Sequence, residues 1–93
     1  MKNNMELIKE IDDLATEKII ERSSSYENLS ELPSWRQMST EAILSGVVYR
    51  SSRARVTKDL YKKLDDILDT LNYIRFVGVL VKEELERQKP KST

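Results

Sequence analysis

Apolar residues recur every three or four positions along most of the chain, a spacing that predicts α-helices rather than strands. Only two glycines and two prolines are available to interrupt them. The pattern predicts helices at about residues 4–22, 34–53 and 57–88, followed by a frayed tail at 89–93. We therefore expect an all-α fold, a helical bundle of three helices, or of four if Gly78 breaks the third.

The first predicted helix has an apolar face and an acidic face on opposite sides, and Asn3 or Asn4 is available as its N-cap. The apolar residues are Met5, Ile8, Ile11, Ala15 and Ile19. The acidic residues are Glu6, Glu10, Asp13, Glu17 and Glu21. A solvated surface is the simplest interpretation of the acidic face. In a dimer, however, Glu6, Glu10 or Asp13 could face the aspartates of the third helix and share a cation with them.

The second predicted helix is apolar on nearly every side between Ile43 and Tyr49, which indicates the most buried helix of the set. Glu41 lies one turn from Ser45 on this helix, and a buried carboxylate needs a partner. Glu41 is therefore a third candidate metal ligand. Residues 51–56 are expected to connect this helix to the third one.

The third predicted helix begins after Thr57, a favourable N-cap, and carries an acidic face opposite an apolar stripe. The stripe consists of Leu60, Leu64, Ile67, Leu71 and Ile74. On the opposite side lie Asp65, Asp69 and Asn72, at i, i+4 and i+7, and Asp66 lies about 100° away around the axis. This pattern alone is typical of a solvated polar surface.

The continuation of that acidic face favours a different interpretation. Tyr73, Phe76 and Leu80 follow on the same line, and a polar face that runs into large apolar side chains is normally covered by another helix or subunit. The neighbouring carboxylates would then raise one another's pKa unless a cation is present. Since a divalent metal would supply that cation, Asp66 and Asp69 are candidate metal ligands.

The chain contains neither cysteine nor histidine, which narrows the chemistry available to it. A disulfide framework, a thiolate metal site and a cysteine nucleophile are excluded, and so is the usual general base near neutral pH. Catalysis would have to depend on carboxylates. A carboxylate-only site suits hard cations such as Mg²⁺ or Mn²⁺ better than zinc.

Sixteen basic residues balance sixteen acidic ones, so no global field attracts the protein to nucleic acid or to a membrane. The basic residues concentrate at one place, between Arg50 and Lys63. Arg50, Arg53 and Lys58 are candidates for binding phosphate, because guanidinium groups and helix N-termini both favour anions. In a simpler interpretation, these cations only complement the dipole at the C-terminus of the second helix. A further and weaker hypothesis is that the same segment contacts nucleic acid.

The 93 residues form one expected domain, residues 1–93, and a domain this small commonly depends on a partner subunit. We therefore expect a homo-oligomer, a dimer or a tetramer. The first ten residues have no apolar core of a signal peptide, and no apolar run approaches the length of a membrane span. A cytoplasmic location with no membrane partner is expected.

Residues 63–76 resemble the second carboxylate helix of the MazG-like superfamily, the all-α nucleoside triphosphate pyrophosphohydrolases. That helix typically reads acid-x-x-Asp followed by an apolar stretch with a tyrosine, and Asp66-x-x-Asp69 followed by Asn72-Tyr73 is similar. A basic, Tyr-containing segment before the middle helix is matched at 21–26, and a basic pair ending that helix is similar to Arg50-x-x-Arg53. The paired glutamates of the first carboxylate helix are missing, and Glu10-x-x-Asp13 or Glu41 would have to substitute for them.

The resemblance implies a helical homo-oligomer that binds Mg²⁺ through carboxylates of two helices and cleaves a nucleoside triphosphate to monophosphate and pyrophosphate. Asp66 and Asp69 would be the catalytic metal ligands, and Asn72 would lie beside the nucleotide. A degenerate relative of such an enzyme is equally compatible with the sequence. The alternative function is that of a non-enzymatic helical regulator, of the kind found in phages or plasmids, that docks a partner through the Tyr73/Phe76/Leu80 face.

Overall fold

The computed structural model describes residues 1–25 and 34–88, and the side chains of 1–22 and 35–88. The described elements are α1 (Asn4–Ser25), a short 3₁₀ helix (Ser34–Gln37), α2 (Thr40–Val56) and α3 (Leu60–Gln88). Within these ranges there is no strand, which confirms the predicted all-α helical bundle. None of the described helices is long and apolar enough to cross a membrane. Tyr26 and the predicted tail lie outside the described residues.

A side-chain oxygen caps the start of each α-helix. Asn3 Oδ1 accepts a hydrogen bond from the Glu6 amide at 2.9 Å, as the sequence predicts for α1. Ser39 Oγ accepts from the Ala42 amide at 3.1 Å, and Asp59 Oδ1 accepts from the Tyr61 amide at 2.9 Å. These caps satisfy amide groups that have no partner within their own helix.

Both ends of α2 differ from the prediction of a helix over 34–53. Residues 34–37 form a separate 3₁₀ helix, because Ser39 provides the cap at which α2 begins. Residues 51–56, predicted as a connection, are helical. Thr57 closes α2 instead of opening α3, since its hydroxyl donates to the Arg53 carbonyl oxygen at 2.8 Å. Only residues 57–59 therefore separate α2 from α3, and the two helices pack side by side.

The third helix is the central element and contacts all the others. It is continuous through Gly78, so the described bundle has three α-helices and not four. Near its middle, the Phe76 ring stacks on Trp35 of the 3₁₀ helix with centroids 4.6 Å apart. Trp35 thus joins the 3₁₀ helix to α3.

The interior of the single chain is small and unusually polar. Among the described residues, the buried apolar side chains are Ala15, Ile43, Ala54 and Leu68. Asp66, Asp69 and Asn72 are buried as well. The prediction that the second helix is the most buried is wrong for the single chain, because Leu44, Val48 and Tyr49 are exposed on α2. Large apolar surfaces of a single chain therefore remain open to solvent.

Candidate functional site

The buried aspartates of α3 meet basic residues of both other α-helices, in a cluster that we call the polar junction. Its members are Lys18 and Arg22 of α1, Arg50 and Arg53 of α2, and Asp65, Asp66 and Asp69 of α3. The acidic face is therefore covered, as the aromatic continuation of that face predicted. It is covered by helices of the same chain.

Arg53 holds Asp66 in a two-pronged ion pair at the C-terminal end of α2. Its Nε lies 3.1 Å from Asp66 Oδ2, and its Nη2 donates to Oδ1 of the same carboxylate. These hydrogen bonds lower the pKa of Asp66 and raise that of Arg53, although the carboxylate is 6% exposed. The Arg53 guanidinium also lies 5.7 Å from the centre of the Tyr49 ring. Asp66 thus fixes the direction in which Arg53 points.

Asp69 forms ion pairs with three basic side chains. Lys18 Nζ lies 2.9 Å from its carboxylate, Arg22 Nη2 lies 3.0 Å away and Arg50 Nη1 lies 3.8 Å away. Lys18 bonds Asp65 as well. Burial lowers the pKa of Lys18, but its hydrogen bonds to the two aspartates outweigh that effect and the pKa is raised. Asp69 therefore ties both α1 and α2 to α3.

Arg50 also contacts the aromatic part of α3. Its Nη2 donates to the Tyr73 hydroxyl oxygen at 3.1 Å, and its guanidinium lies 4.7 Å from the centre of that ring. The Tyr73 ring in turn meets Phe76 edge-on, with centroids 6.0 Å apart. With Trp35 stacked on Phe76, the face proposed for docking a partner is largely occupied within the chain.

Asn72 links α1 to α3. Its amide nitrogen donates to the Ala15 carbonyl oxygen at 3.0 Å, and its oxygen accepts from Arg75 at 3.3 Å. Arg75 reaches on to Asp12 of α1, at 3.0 Å. Because Asn72 is buried and both its amide nitrogen and its amide oxygen are hydrogen-bonded, it does not face an open site in this structure.

An open cleft of about 590 Å³ lies beside the polar junction, where α2 turns into α3. It is lined by Arg53, Thr57, Tyr61, Lys62, Asp65 and Asp66. Arg53 is 46% exposed along its side chain, so it is shared between the buried pair and the cleft. Lys62 and Tyr61 are both exposed. Beside its two carboxylates the cleft has cationic, hydroxyl and aromatic groups, which are kinds of group that bind phosphate or stack on a flat ring.

The predicted metal ligands do not converge. Glu10 pairs with Lys2 and Asp13 with Lys9, all on the exposed part of α1 or just before it. Glu41 is exposed on the first turn of α2, so the expectation of a buried carboxylate is wrong. In the part of the chain that the structure describes, no three acidic residues lie close enough together to hold a metal ion.

The carboxylates of Asp66 and Asp69 do not fit a resident Mg²⁺ or Mn²⁺ in this arrangement. Their oxygens already receive donors from arginine and lysine, and these cations remove the repulsion that a metal was expected to relieve. A divalent ion would have to displace those groups. The sequence predicts that the clustered aspartates need positive charge nearby, and arginine and lysine side chains supply that charge in place of a metal ion.

The cations of α1 are the part of the site that the sequence did not reveal. Lys18 and Arg22 are separated by four residues and so share a side of α1 with buried Ala15. The sequence does contain a signal for these residues, because basic side chains on the side of a helix that faces the core need acidic partners there. Of the predicted phosphate ligands, Arg50 and Arg53 point into the polar junction, whereas Lys58 is exposed in the connection between α2 and α3.

No protein-family model matches the chain, and neither a curated protein nor a solved structure matches it. The resemblance to the MazG-like superfamily therefore stays a prediction, and the geometry of the polar junction carries the functional argument.

The contribution of the Asp66–Arg53 pair to stability is expected to disappear in acid. Because the pKa of Asp66 in the folded protein lies below its ordinary value of 3.8, the pair contributes fully above that pH and is lost as the pH falls through the lower, folded-state pKa. Urea unfolding of the wild type and of Asp66→Asn, followed from neutral pH downward, should show a stability difference that shrinks below pH 3.8. A difference that stays constant through this range would contradict the pairing.

Proposed function

We propose that the protein binds the phosphate groups of a nucleotide in the cleft beside the polar junction. In this proposal the chain is a degenerate relative of the MazG-like pyrophosphohydrolases, one in which the carboxylates of α3 position arginines instead of holding a metal. The observation that carries the proposal is that Arg53, held in direction by Asp66, and Lys62 both line the open cleft.

The polar junction has more positive than negative charge. Lys18, Arg22, Arg50 and Arg53 bring four positive charges to the three carboxylates of α3. Lys62 lines the adjoining cleft and adds a further positive charge. The cleft itself is lined by two basic and two acidic residues, so the excess comes from the adjoining Lys18, Arg22 and Arg50 and favours an anionic ligand near them.

Arg53 is held in the manner that suits an anion-binding arginine. A guanidinium has five N–H donors, and Asp66 uses two of its nitrogens, Nε and Nη2. The remaining donors belong to a side chain that is half exposed at the edge of the cleft. A phosphate oxygen placed there would gain a charge-assisted hydrogen bond from a group already fixed in direction, so little further ordering would be required.

The cleft also suits the rest of a nucleotide. Its volume lies within the range of about 300 to 1,000 Å³ found for small-molecule sites. Tyr61 is exposed on its wall and offers a ring on which a base can stack. Thr57, at the end of α2, places a hydroxyl oxygen on the same surface.

Calorimetric titration of the full chain with pyrophosphate and with a panel of nucleoside triphosphates tests the proposal. Binding should occur without Mg²⁺, and Lys62→Ala should weaken it by about tenfold, the loss expected for one charged contact to phosphate. Since Lys62 is exposed, the variant should remain folded. Arg87→Ala is the matched control, because Arg87 pairs with Glu84 far along α3 and should not affect binding.

Two outcomes would contradict the proposal. A folded sample that binds neither pyrophosphate nor any triphosphate, with or without Mg²⁺, would remove the phosphate site. Release of pyrophosphate from a triphosphate only when Mg²⁺ is added would instead favour the metal-dependent pyrophosphohydrolase that the resemblance implies, with Asp66 and Asp69 rearranged away from their basic partners.

A further inference from the structure

The apolar stripe of α3 extends further than a helix of a single small bundle requires. It consists of Leu60, Leu64, Ile67, Leu71, Ile74, Gly78, Val81 and Leu85, at intervals that alternate between four and three residues. This alternation is the a/d pattern of a coiled coil, and we call these eight positions the seam. At about 1.5 Å per residue, the seam is about 38 Å long.

Most of the seam is exposed in the single chain, while Leu64 and Leu71 are half-buried. Leu60 is 78% exposed, Ile74 48% and Leu85 57%, and Ile67 and Val81 are exposed too. The contacts of the polar junction are made by other sides of α3, by Asp65 and Asp69 opposite the seam and by Asp66 about 100° around the axis from Asp65. A second helix can therefore cover the seam without displacing α1 or α2.

We propose that the seam is the interface between two copies of this chain, paired through antiparallel α3 helices about a two-fold axis. This inference is independent of the proposed nucleotide site. In a two-fold pair the same surface serves both partners, so the surface must be complementary to itself. The order of residues along the seam satisfies this requirement in one orientation.

The antiparallel orientation is selected by Gly78. With the axis midway between Leu71 and Ile74, each seam position faces another seam position of the second copy, and Gly78 faces Ile67. A large side chain then fills the space that glycine leaves. In a parallel pair Gly78 would face Gly78, leaving a gap in the middle of the interface.

Charge at the edges of the seam agrees with the same orientation. Lys63 and Glu84 each come directly before a seam residue, Leu64 and Leu85, and so flank the seam on one side. In the antiparallel alignment Lys63 of one copy lies beside Glu84 of the other, at both ends of the pair, and joins the ion pair that Glu84 makes with Arg87 of its own chain. Such flanking pairs set the orientation of coiled coils.

The small interior of the chain supplies the reason for pairing. Two of the four apolar side chains buried in the described part of the chain are alanines, so the single copy buries little apolar surface. The free energy gained by burial is roughly proportional to apolar area removed from water. Covering the seam would add a row of leucine, isoleucine and valine side chains to a common interior.

Analytical ultracentrifugation of the full chain tests the interface. The wild type should sediment as a dimer, and Ile67→Lys with Ile74→Lys should weaken the dimer at least about 100-fold, because two charges would be buried without partners. Val79→Lys is the control, since Val79 is an exposed apolar residue of α3 outside the seam. A monomeric wild type, or a dimer that survives the double substitution, would overturn the proposal.

Disulfide cross-linking tests the orientation with variants closer to the wild type, and it remains informative if the lysine variant fails to fold. The chain has no cysteine of its own. Ile67→Cys mixed with Gly78→Cys should give a disulfide between unlike chains, while neither variant alone should cross-link. Cross-linking of each variant with itself would indicate a parallel pair and overturn the antiparallel proposal.

Discussion

Replacing Asp69 with alanine is expected to lower the free energy of unfolding by about 3 kcal/mol, the usual cost of removing one partner of a buried ion pair. Asp69 is 5% exposed and is the common partner of Lys18, Arg22 and Arg50. Without it, the half-buried Lys18 would keep only Asp65. The three cations would also repel one another where α1 and α2 meet α3.

Asp65→Ala provides the matched comparison. Asp65 is four residues from Asp69, has the same side chain and shares Lys18 with it, but its carboxylate is exposed. Exposed pairs contribute less than about 1 kcal/mol. Urea unfolding by far-ultraviolet circular dichroism, at one protein concentration because of the proposed dimer, should separate the two variants by about 2 kcal/mol. Equal losses would show that Asp69 is not the buried centre of the polar junction.

The helices could be predicted from the sequence because their signals are local. Apolar spacing and the cap at Asn3 act within one or two turns, and α1 begins where they indicate. The start of α2 was misplaced because Pro33 and Ser34 resemble a helix start, while Ser39 supplies a better cap. Thr57 was misassigned for a similar reason, since a threonine can close one helix as well as open the next.

The orientation of α3 could not be predicted from its own sequence. An apolar stripe opposite an acidic face normally means that the stripe faces the core. The structure shows the reverse, with Asp66 and Asp69 inside and Leu60 exposed. The deciding contacts involve residues 47 positions apart, such as Lys18 and Asp65, and no pattern within one helix contains that information.

This reversal connects the two proposals. Because the acidic face binds cations of the same chain, Arg53 is fixed at the cleft, and the apolar face of α3 is left open for the second copy that we propose. A conventional orientation would have placed the seam in the interior and left the aspartates in solvent. The orientation of α3 thus accounts for both the proposed nucleotide site and the proposed dimer interface.

Replacing Ile43 with alanine is expected to lower the free energy of unfolding by about 3 kcal/mol, within the range for a buried Ile→Ala substitution. Ile43 is 1% exposed and is the largest fully buried side chain in the described residues. Removing most of this side chain would leave a cavity in the interior. In so small an interior there is little apolar surface to rearrange.

Leu44→Ala is the control for Ile43→Ala, because the next residue on α2 points outward and is 44% exposed. Its truncation should cost about 1 kcal/mol or less, the usual effect away from a core. Unfolding in urea, with both variants at the same concentration as the wild type, measures the contrast. Equal costs would mean that α2 buries a different side from the one described. A larger cost for Ile43→Ala would show that α2 buries the side described here, the side of Ile43.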